Sequence, residues 1–154
     1  MTKFQPKSGY NYTYPLTKEV VSCIPDDTQF GNYQFGYMEG ADFHHRYIGR
    51  SDTNLKQEIE NQRYNKVEIG GTTYTHFKFC KASSAKEAYE RECIDFHGYG
   101  EELVLDNINH PDKPNGTDYK FPVEDSVHIM NKSEYNIINF NIPYYGTQII
   151  LYNI

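Results

Sequence analysis

Two neighbouring stretches of the chain alternate between apolar and polar side chains. One runs from Asn32 to Met38 and the other from His45 to Gly49, with a turn predicted over Glu39 to Phe43. Side chains that alternate in this way point to opposite faces of a β-strand, so that one face can be buried. The pattern therefore predicts an antiparallel hairpin.

A second hairpin is predicted further along the chain. A short run from Lys66 to Ile69 is followed by Gly70-Gly71 and then by a longer run from Thr72 to Cys80. Paired glycines between two such runs are typical of a tight turn. In the second arm we expect Phe77 and Phe79 to share one face, opposite the histidine and lysine that alternate with them.

A polar helix is predicted between the two hairpins, over Asn54 to Arg63. Its only apolar edge consists of Leu55 and Ile59, which are four residues apart. Ser51 and Asp52 precede it and offer oxygens for an N-cap. We therefore expect a helix that is mostly exposed to solvent.

A second helix has the clearer signal. Ser84 and Glu87 form a capping box, and helical spacing continues to about His97. Glu92 lies within the apolar stripe of this helix, whose other members are Ala85, Ala88, Tyr89, Cys93 and Phe96. An unpaired carboxylate on the buried side of a helix costs on the order of several kcal/mol. We therefore expect Glu92 to bind a cation, accept hydrogen bonds or be protonated.

The two ends of the chain carry weaker patterns. Residues 1–29 predict an irregular arm with one short strand around Glu19 to Cys23, and β-like runs cover Ile137 to Ile142 and Gln148 to Tyr152. We predict a single α+β domain over residues 1–154, with a small, mainly antiparallel sheet flanked by helices. Residues 30–116 form its core, and residues 117–154 form a β-rich C-terminal extension.

The cysteines and the apolar segments indicate the compartment. Cys23, Cys80 and Cys93 are three in number and have no CxxC spacing, which argues against a disulfide framework or a four-cysteine zinc site. The sequence has no signal-peptide pattern and no apolar run long enough to span a membrane. We therefore expect a soluble, cytoplasmic protein with no membrane partner.

The net charge opposes strong binding of nucleic acids. The formal charge is −6, and the excess of acidic residues is larger after Phe77 than before it. A negative protein repels the phosphate backbone at long range. Any contact with DNA or RNA is therefore expected on the first half of the chain, or is expected to be weak and to depend on a divalent cation.

The order of elements, with a tyrosine on each of the first two strands, resembles the GIY-YIG nuclease module. Gly31-Asn-Tyr33 stands in the place of the first motif triplet, and Tyr47-Ile-Gly49 is a copy of the second. Glu92, which follows Ala88 by four residues, is similar to the metal-binding glutamate of the family. Asn107 resembles the asparagine that closes the family site. The resemblance extends from Gly31 to Pro114.

This resemblance implies an endonuclease that uses Mg²⁺ or Mn²⁺ to hydrolyse phosphodiester bonds, in DNA rather than RNA. In the family, one tyrosine hydroxyl assists the activation of water, the glutamate holds the metal, and an arginine on the first helix stabilises the transition state. The implied site residues are therefore Tyr33, Tyr47, Glu92 and Asn107, with Glu92 as the metal ligand.

The expected arginine is missing. It normally follows the leucine of the first helix by three residues, and here that position holds Glu58. A carboxylate near a phosphate reverses the sign of a contact that usually accelerates the reaction. Arg50, directly after the second triplet, is the expected substitute, because Arg63 lies about 140° further around the helix than Glu58.

Two alternatives remain open from the sequence. Glu58 and the acidic balance favour a catalytically lapsed copy of the fold that binds a protein, a nucleotide or a nucleic acid. A weaker alternative is a phage or mobile-element accessory protein that contacts a protein partner through its terminal extensions. Structural roles also remain open for individual residues, since Tyr33 and Tyr47 belong to a tyrosine-rich chain and Asn107 could form an Asx-turn.

Overall fold

The computed structural model describes residues 4–119, 137–142 and 147–152. Its strands and helices, in chain order, are β1 (Tyr14–Pro15), α1 (Lys18–Val21), β2 (Gly31–Glu39), β3 (Asp42–Ser51), α2 (Leu55–Arg63), a π-helical turn (Tyr64–Ile69), β4 (His76–Lys81), α3 (Ala85–Gly98), a 3₁₀ turn (Glu101–Leu103), β5 (Ile137–Ile142) and β6 (Thr147–Tyr152).

The first four strands form one sheet in the order β1-β4-β2-β3, and every neighbouring pair is antiparallel. Strands β5 and β6 form a separate antiparallel pair, which confirms the two β-like runs near the C-terminus. Helices flank the four-stranded sheet. The predicted α+β class with a mainly antiparallel sheet is therefore confirmed.

The first predicted hairpin is confirmed, although its turn is shorter than expected. Strands β2 and β3 pair from Gly31 with Ser51 to Glu39 with Asp42, and the register shifts once, after Phe35. At this bulge a Cβ on Gly36 would overlap the backbone carbonyl of His44. The bulge therefore requires a glycine at this position, because a side chain would overlap the neighbouring strand.

Two predictions of local structure are wrong. The run from Lys66 to Ile69 is not a strand, because α2 continues directly into the π-helical turn, where Gly70 N–H donates to the carbonyl of Asn65. The residues around Glu19 are also helical, since Thr17 caps α1 by accepting a hydrogen bond from Val20 N–H at 3.2 Å. The Thr17 cap favours a helix around Glu19, and the continuation of α2 favours a helical turn from Lys66 to Ile69. Both outweigh the short apolar patterns that predicted strands.

The cap of α2 also differs from the prediction. Asn54 is the N-cap, and its side chain accepts from Gln57 N–H at 2.8 Å. Ser51 instead donates to the carbonyl of Gln29, and Asp52 binds Arg50. The predicted apolar edge is confirmed, because Leu55 and Ile59 are both fully buried.

One face of the sheet carries the apolar core of the molecule. Helices α1 and α2 and residues of the N-terminal arm cover this face. The buried members of the core cluster are Leu16, Val21, Ile24, Tyr33, Phe35, Leu55, Ile59, Tyr74, Phe77 and Phe79. The arm thus supplies both an edge strand and part of the core.

The opposite face packs against α3 through apolar contacts, in which Ile48 packs with Phe96, and through hydrogen bonds. Asn32 donates to the carbonyl of Ala88 at 2.8 Å and accepts from Arg91 at 3.0 Å. Gln34 donates to the hydroxyl of Tyr99 at 3.1 Å. Because strand side chains alternate between faces, Asn32 and Gln34 lie opposite Tyr33 and Phe35.

Candidate functional site

A solvent-open cleft lies where the second half of β3 meets α2 and α3. Its volume is about 210 Å³. The residues that line it are Tyr33, Tyr47, Gly49, Arg50, Asp52, Glu58, Glu92 and Asp112. Four of the five predicted site residues, namely Tyr33, Tyr47, Arg50 and Glu92, therefore share one cleft.

Gly49 allows the two faces of the sheet to meet in this cleft. Tyr33 and Gly49 are directly paired across β2 and β3. A Cβ at position 49 would overlap the Cζ and hydroxyl atoms of Tyr33. Gly49 thus gives the phenol the space to lie across β3 towards the cleft, which is a more specific role than that of a turn residue.

Tyr33 is held by the carboxylate that replaces the expected arginine. Its hydroxyl donates to Glu58 Oε2 at 2.9 Å, and its side chain is only 1% exposed. Burial raises the pKa of Tyr33 well above its usual value, and the nearby Tyr47 and Glu58 raise it further. Burial also raises the pKa of Glu58. Tyr33 is therefore a neutral phenol that donates a hydrogen bond to the carboxyl group of Glu58.

Tyr47 lies beside Tyr33 and is less buried. The two ring centroids are 6.3 Å apart, and Lys66 Nζ lies 4.0 Å from the centroid of the Tyr47 ring. Burial, followed by the charges of Glu92 and Glu58, raises the pKa of Tyr47 to about 12. At neutral pH the Tyr47 hydroxyl keeps its proton and is suited to donating hydrogen bonds.

Arg50 and Glu92 form a partly buried ion pair on the α3 side of the cleft. Arg50 Nη1 lies 2.6 Å from Glu92 Oε1, and Arg50 Nε lies 3.2 Å from Asp52 Oδ1. The guanidinium also lies over the ring of Tyr89, 5.3 Å from its centroid. Burial raises the pKa of Glu92 to about 7, although Arg50 partly offsets this effect. The predicted inward direction of Glu92 is confirmed.

Arg63 does not reach the cleft. Arg63 is 5% exposed, and its guanidinium lies 2.7 Å from both Glu60 and Glu68. These bonds hold it at the far end of α2. Of the two arginines considered from the sequence, Arg50 is the one that the fold brings to the tyrosines.

Asn107 lies next to the cleft and contacts the backbone of β3. Its Oδ1 accepts from Ile48 N–H at 3.0 Å, and its Nδ2 donates to the carbonyl of Ile48 at 2.9 Å. Among the described residues, those that line the cleft do not include Asn107. The Asn107 amide therefore pairs with the edge strand β3 as the backbone of a further strand would. It does so at Ile48, the residue between Tyr47 and Gly49.

Asp52, Asp112 and Glu58 also line the cleft, beyond the residues predicted for it. The sequence indicated that Asp52 and Glu58 are close to the motif. It predicted a helix N-cap at Asp52, and it showed Glu58 only as the residue that replaces the family arginine. Asp112 comes from the proline-rich loop after Asn107. No sequence pattern showed that this loop would return to the cleft.

The charges in the cleft limit the ways in which it could hold a metal. Arg50 shares the cleft with Asp52, Glu58, Glu92 and Asp112, and it contacts the carboxylates of Asp52 and Glu92. Across the described parts of the chain, no group of three or more histidine, cysteine or acidic side chains is arranged to hold a metal ion. Mg²⁺, however, commonly uses one or two carboxylates and completes its shell with water and phosphate oxygens. Glu92 fits that sparse form of site.

No family model, curated protein or solved structure matches this chain. The resemblance to GIY-YIG nucleases therefore rests on the motif residues and on the cleft that they form. Within the described residues, no helix is both long enough and apolar enough to cross a membrane.

Proposed function

We propose that this protein is a divalent-metal-dependent endonuclease of the GIY-YIG type, acting on phosphodiester bonds of DNA. One observation supports this proposal above the others. Tyr33, Tyr47, Arg50 and Glu92 come from β2, β3 and α3 and line one cleft that is open to solvent. Packing alone does not require two phenols, a guanidinium and a buried acid to meet at an open surface.

Each of these residues has a role that matches the chemistry. Phosphodiester hydrolysis needs an activated water and stabilisation of the charge that develops on the phosphoryl oxygens. We expect Tyr47, which lines the cleft, to orient the water by hydrogen bonding. Among the described residues that line the cleft, Arg50 is the only cationic side chain, and we expect its guanidinium to contact the phosphate.

Glu92 is the proposed ligand for Mg²⁺ or Mn²⁺. Its Oε1 is engaged by Arg50 at 2.6 Å, so Oε2 is the oxygen that a cation would use. A bound divalent ion would neutralise phosphate charge and lower the pKa of a coordinated water. Because Glu92 has a pKa of about 7, we expect metal binding to strengthen as the pH rises through neutrality.

The acidic cleft and the formal charge of −6 predict weak capture of the substrate. Few cations are available to release counterions from the DNA, so the salt dependence of binding should be shallow. We therefore expect turnover to depend strongly on the concentration of the divalent ion.

The direct test is cleavage of supercoiled, linear and single-stranded DNA and of RNA, with Mg²⁺, with Mn²⁺ or with a chelator. We expect nicking of DNA with either metal and none with the chelator. Glu92→Gln keeps the size of the side chain but weakens metal binding, so it should lower the rate by at least about a hundredfold. Isothermal titration with Mn²⁺ should show weaker binding to the same variant.

Glu102→Gln is the matched control, because it removes the same charge from an exposed glutamate outside the cleft. It should cleave as the unmodified protein does. Absence of cleavage for every nucleic acid and metal, or equal rates for Glu92→Gln and the unmodified protein, would reject the nuclease proposal.

The second candidate function is that of a lapsed nuclease fold that binds a partner without turnover. Its support is that Glu58 occupies the place of the arginine and that two carboxylates already engage Arg50. Fluorescence anisotropy with labelled DNA, nucleotides and candidate protein partners would detect binding without cleavage. Glu58→Arg separates the two candidates, because a lapsed site could regain cleavage whereas an active rearranged site should lose it.

The cytoplasm is the proposed compartment. Cys23, Cys80 and Cys93 form no disulfide, and Cys93 is fully buried in the α3 interface. Cysteines without disulfides are typical of proteins in a reducing environment.

A further inference from the structure

We propose that Glu58 is the proton acceptor of this cleft and that it acts through the hydroxyl of Tyr33. The inference rests on the proposed nuclease function and deepens it. Glu58 then takes part in the reaction, although the family has a cationic arginine at its position.

Tyr33 and Glu58 are in direct contact, and the packing around them holds both side chains in place. Tyr33 donates to Glu58 Oε2 at 2.9 Å. Tyr33 packs against Phe35, with ring centroids 5.0 Å apart, and Glu58 lies on α2 between the fully buried Leu55 and Ile59. Because the core holds both elements, the phenol and the carboxylate are kept in register.

Tyr33 needs such an acceptor. Burial keeps its pKa well above the usual value, so a phenolate is not available at neutral pH. A neutral phenol can take a proton from water only if it passes its own proton on at the same time. Glu58 accepts that hydrogen bond, and its raised pKa makes it a stronger base than an exposed glutamate.

The proton transfer can be written in full. As a water molecule gives a proton to the oxygen of Tyr33, the phenolic proton of Tyr33 passes to Glu58 Oε2. The hydroxide forms a bond to phosphorus, and the bond from phosphorus to the leaving oxygen breaks. The leaving oxygen keeps the electron pair and takes a proton from a second water, and Glu58 then returns its proton to solvent.

The other charges in the cleft agree with this role. Besides Tyr33, the side chains that act on Glu58 include Gln62, Asp52 and Arg50, and Glu58 also interacts electrostatically with Tyr47 and Glu92. Arg50 is held on the opposite side by Glu92 and Asp52, so it does not neutralise Glu58 through a direct ion pair. The cleft thus separates a basic carboxylate beside the phenols from a guanidinium beside α3.

The test compares Glu58→Gln and Glu58→Asp with the unmodified protein and with Asp27→Asn, an exposed carboxylate outside the cleft. Glutamine keeps an acceptor for Tyr33 but cannot take a proton. We expect Glu58→Gln to lower kcat by about 10² to 10⁴ times, Glu58→Asp to restore part of the rate, and Asp27→Asn to leave it unchanged.

The pH profile distinguishes this role from a structural one. Glu58 must be ionised to accept the proton, so the rate of the unmodified protein should rise with pH through the pKa of Glu58. The rate of Glu58→Gln should depend on one ionisation fewer on the acidic side of its pH profile. A residue that only maintains the fold would change the rate without changing the shape of this profile.

A second measurement reports the contact without any activity. In NMR of protein with labelled tyrosines at neutral pH, the chemical shift of the Tyr33 ring should change in Glu58→Gln, because its hydroxyl loses a charged acceptor. Equal Tyr33 shifts in both proteins would overturn the contact on which the inference depends.

The kinetic outcomes separate the two proposals. If the unmodified protein cleaves, and Glu58→Gln keeps its rate within about threefold and the same number of ionisations on the acidic side of its profile, only the role of Glu58 is overturned. If the unmodified protein cleaves nothing, the nuclease proposal fails and the role of Glu58 fails with it.

Discussion

Both faces of the central sheet bury apolar side chains, but they differ in the polar side chains that β2 contributes to them. The face under α1 and α2 is apolar and is filled by aromatic rings, with Phe35, Phe77 and Phe79 all at most 1% exposed. The face under α3 instead buries Asn32 and Gln34 in hydrogen bonds. The free energy of apolar burial depends little on how the contacting groups are oriented, whereas hydrogen bonds require defined distances and angles.

The cleft lies where these two environments meet. Tyr33 and Glu58 belong to the apolar side, and Arg50 and Glu92 belong to the side of α3. Packing on the first side fixes the phenol, and the hydrogen-bonded second side fixes the ion pair. Gly49 is the position at which the two sets are close enough to share one surface.

The largest expected effect comes from neighbouring residues on opposite faces of β2. Phe35 and Gln34 are both 0% exposed. Phe35→Ala should cost about 3–5 kcal/mol of unfolding free energy, because it leaves a large cavity in the apolar core. Gln34→Ala should cost about 1–3 kcal/mol, since it removes a hydrogen bond to Tyr99 and less apolar surface. Urea unfolding measures both.

Equal losses for the two variants would contradict the distinction between the faces. A larger loss for Gln34→Ala would show that the hydrogen bonds under α3, rather than the aromatic core, dominate the stability of the sheet.

The second effect concerns the meeting point of the two faces. In Gly49→Ala the added methyl group would overlap the Tyr33 phenol, so we expect a loss of about 1–3 kcal/mol and a displaced tyrosine. Gly98→Ala is the control, because nothing lies within 4 Å of a Cβ at that position. Thermal unfolding should show a loss of stability for Gly49→Ala and none for Gly98→Ala, and tyrosine NMR should show a change for Gly49→Ala alone.

The sequence predicted the elements that have a strong local pattern. Alternation located β2 and β3, and the capping residue Ser84 located α3. The run from Lys66 to Ile69 was misread as a strand, because a four-residue apolar pattern fits a strand and a helical turn equally well. Only the hydrogen bonds that continue α2 decide between the two structures.

The site was predictable only in part. The motif indicated Tyr33, Tyr47 and Glu92, and Arg50 was inferred as the substitute cation. The pairing of Tyr33 with Glu58 depends on the angle at which α2 crosses the sheet, which periodicity does not give. The return of Asp112 to the cleft depends on a loop whose path has no local signal in the sequence.

The third effect concerns a buried acid on the α3 face. Asp95 is 7% exposed and accepts a hydrogen bond from Tyr10 at 3.1 Å. Burial raises the pKa of Asp95 to about 7, although Tyr10 and Arg91 partly offset this effect. Folded protein therefore keeps a proton that the unfolded chain has already lost, and stability falls as the pH rises from about 4 to about 7.

Asp95→Asn removes this titration. It should be as stable as the unmodified protein near pH 4 and more stable by about 1–3 kcal/mol near pH 8. Asp27→Asn, which changes an exposed acid, should follow the unmodified protein at both pH values. Urea unfolding across this range checks the prediction, and parallel curves for Asp95→Asn and the unmodified protein would contradict it.

The smallest effect concerns the edge of the sheet beside the cleft. Asn107 satisfies both backbone groups of Ile48, and the neighbouring Asp106 N–H donates to the carbonyl of Arg46 at 2.5 Å. Asn107→Ala removes two hydrogen bonds from a half-exposed edge, where water can replace them, so we expect a loss of only about 1 kcal/mol.

The local effect of Asn107→Ala should exceed the global one. Ile48 lies between Tyr47 and Gly49, so loss of the Asn107 amide should increase the hydrogen exchange of the Ile48 amide more than that of Phe35 on the central strand. The exposed Asn109→Ala is the control and should change neither amide. A uniform increase at both amides would mean that Asn107 contributes to the sheet as a whole. A selective increase would mean that it holds the edge on which the cleft is built.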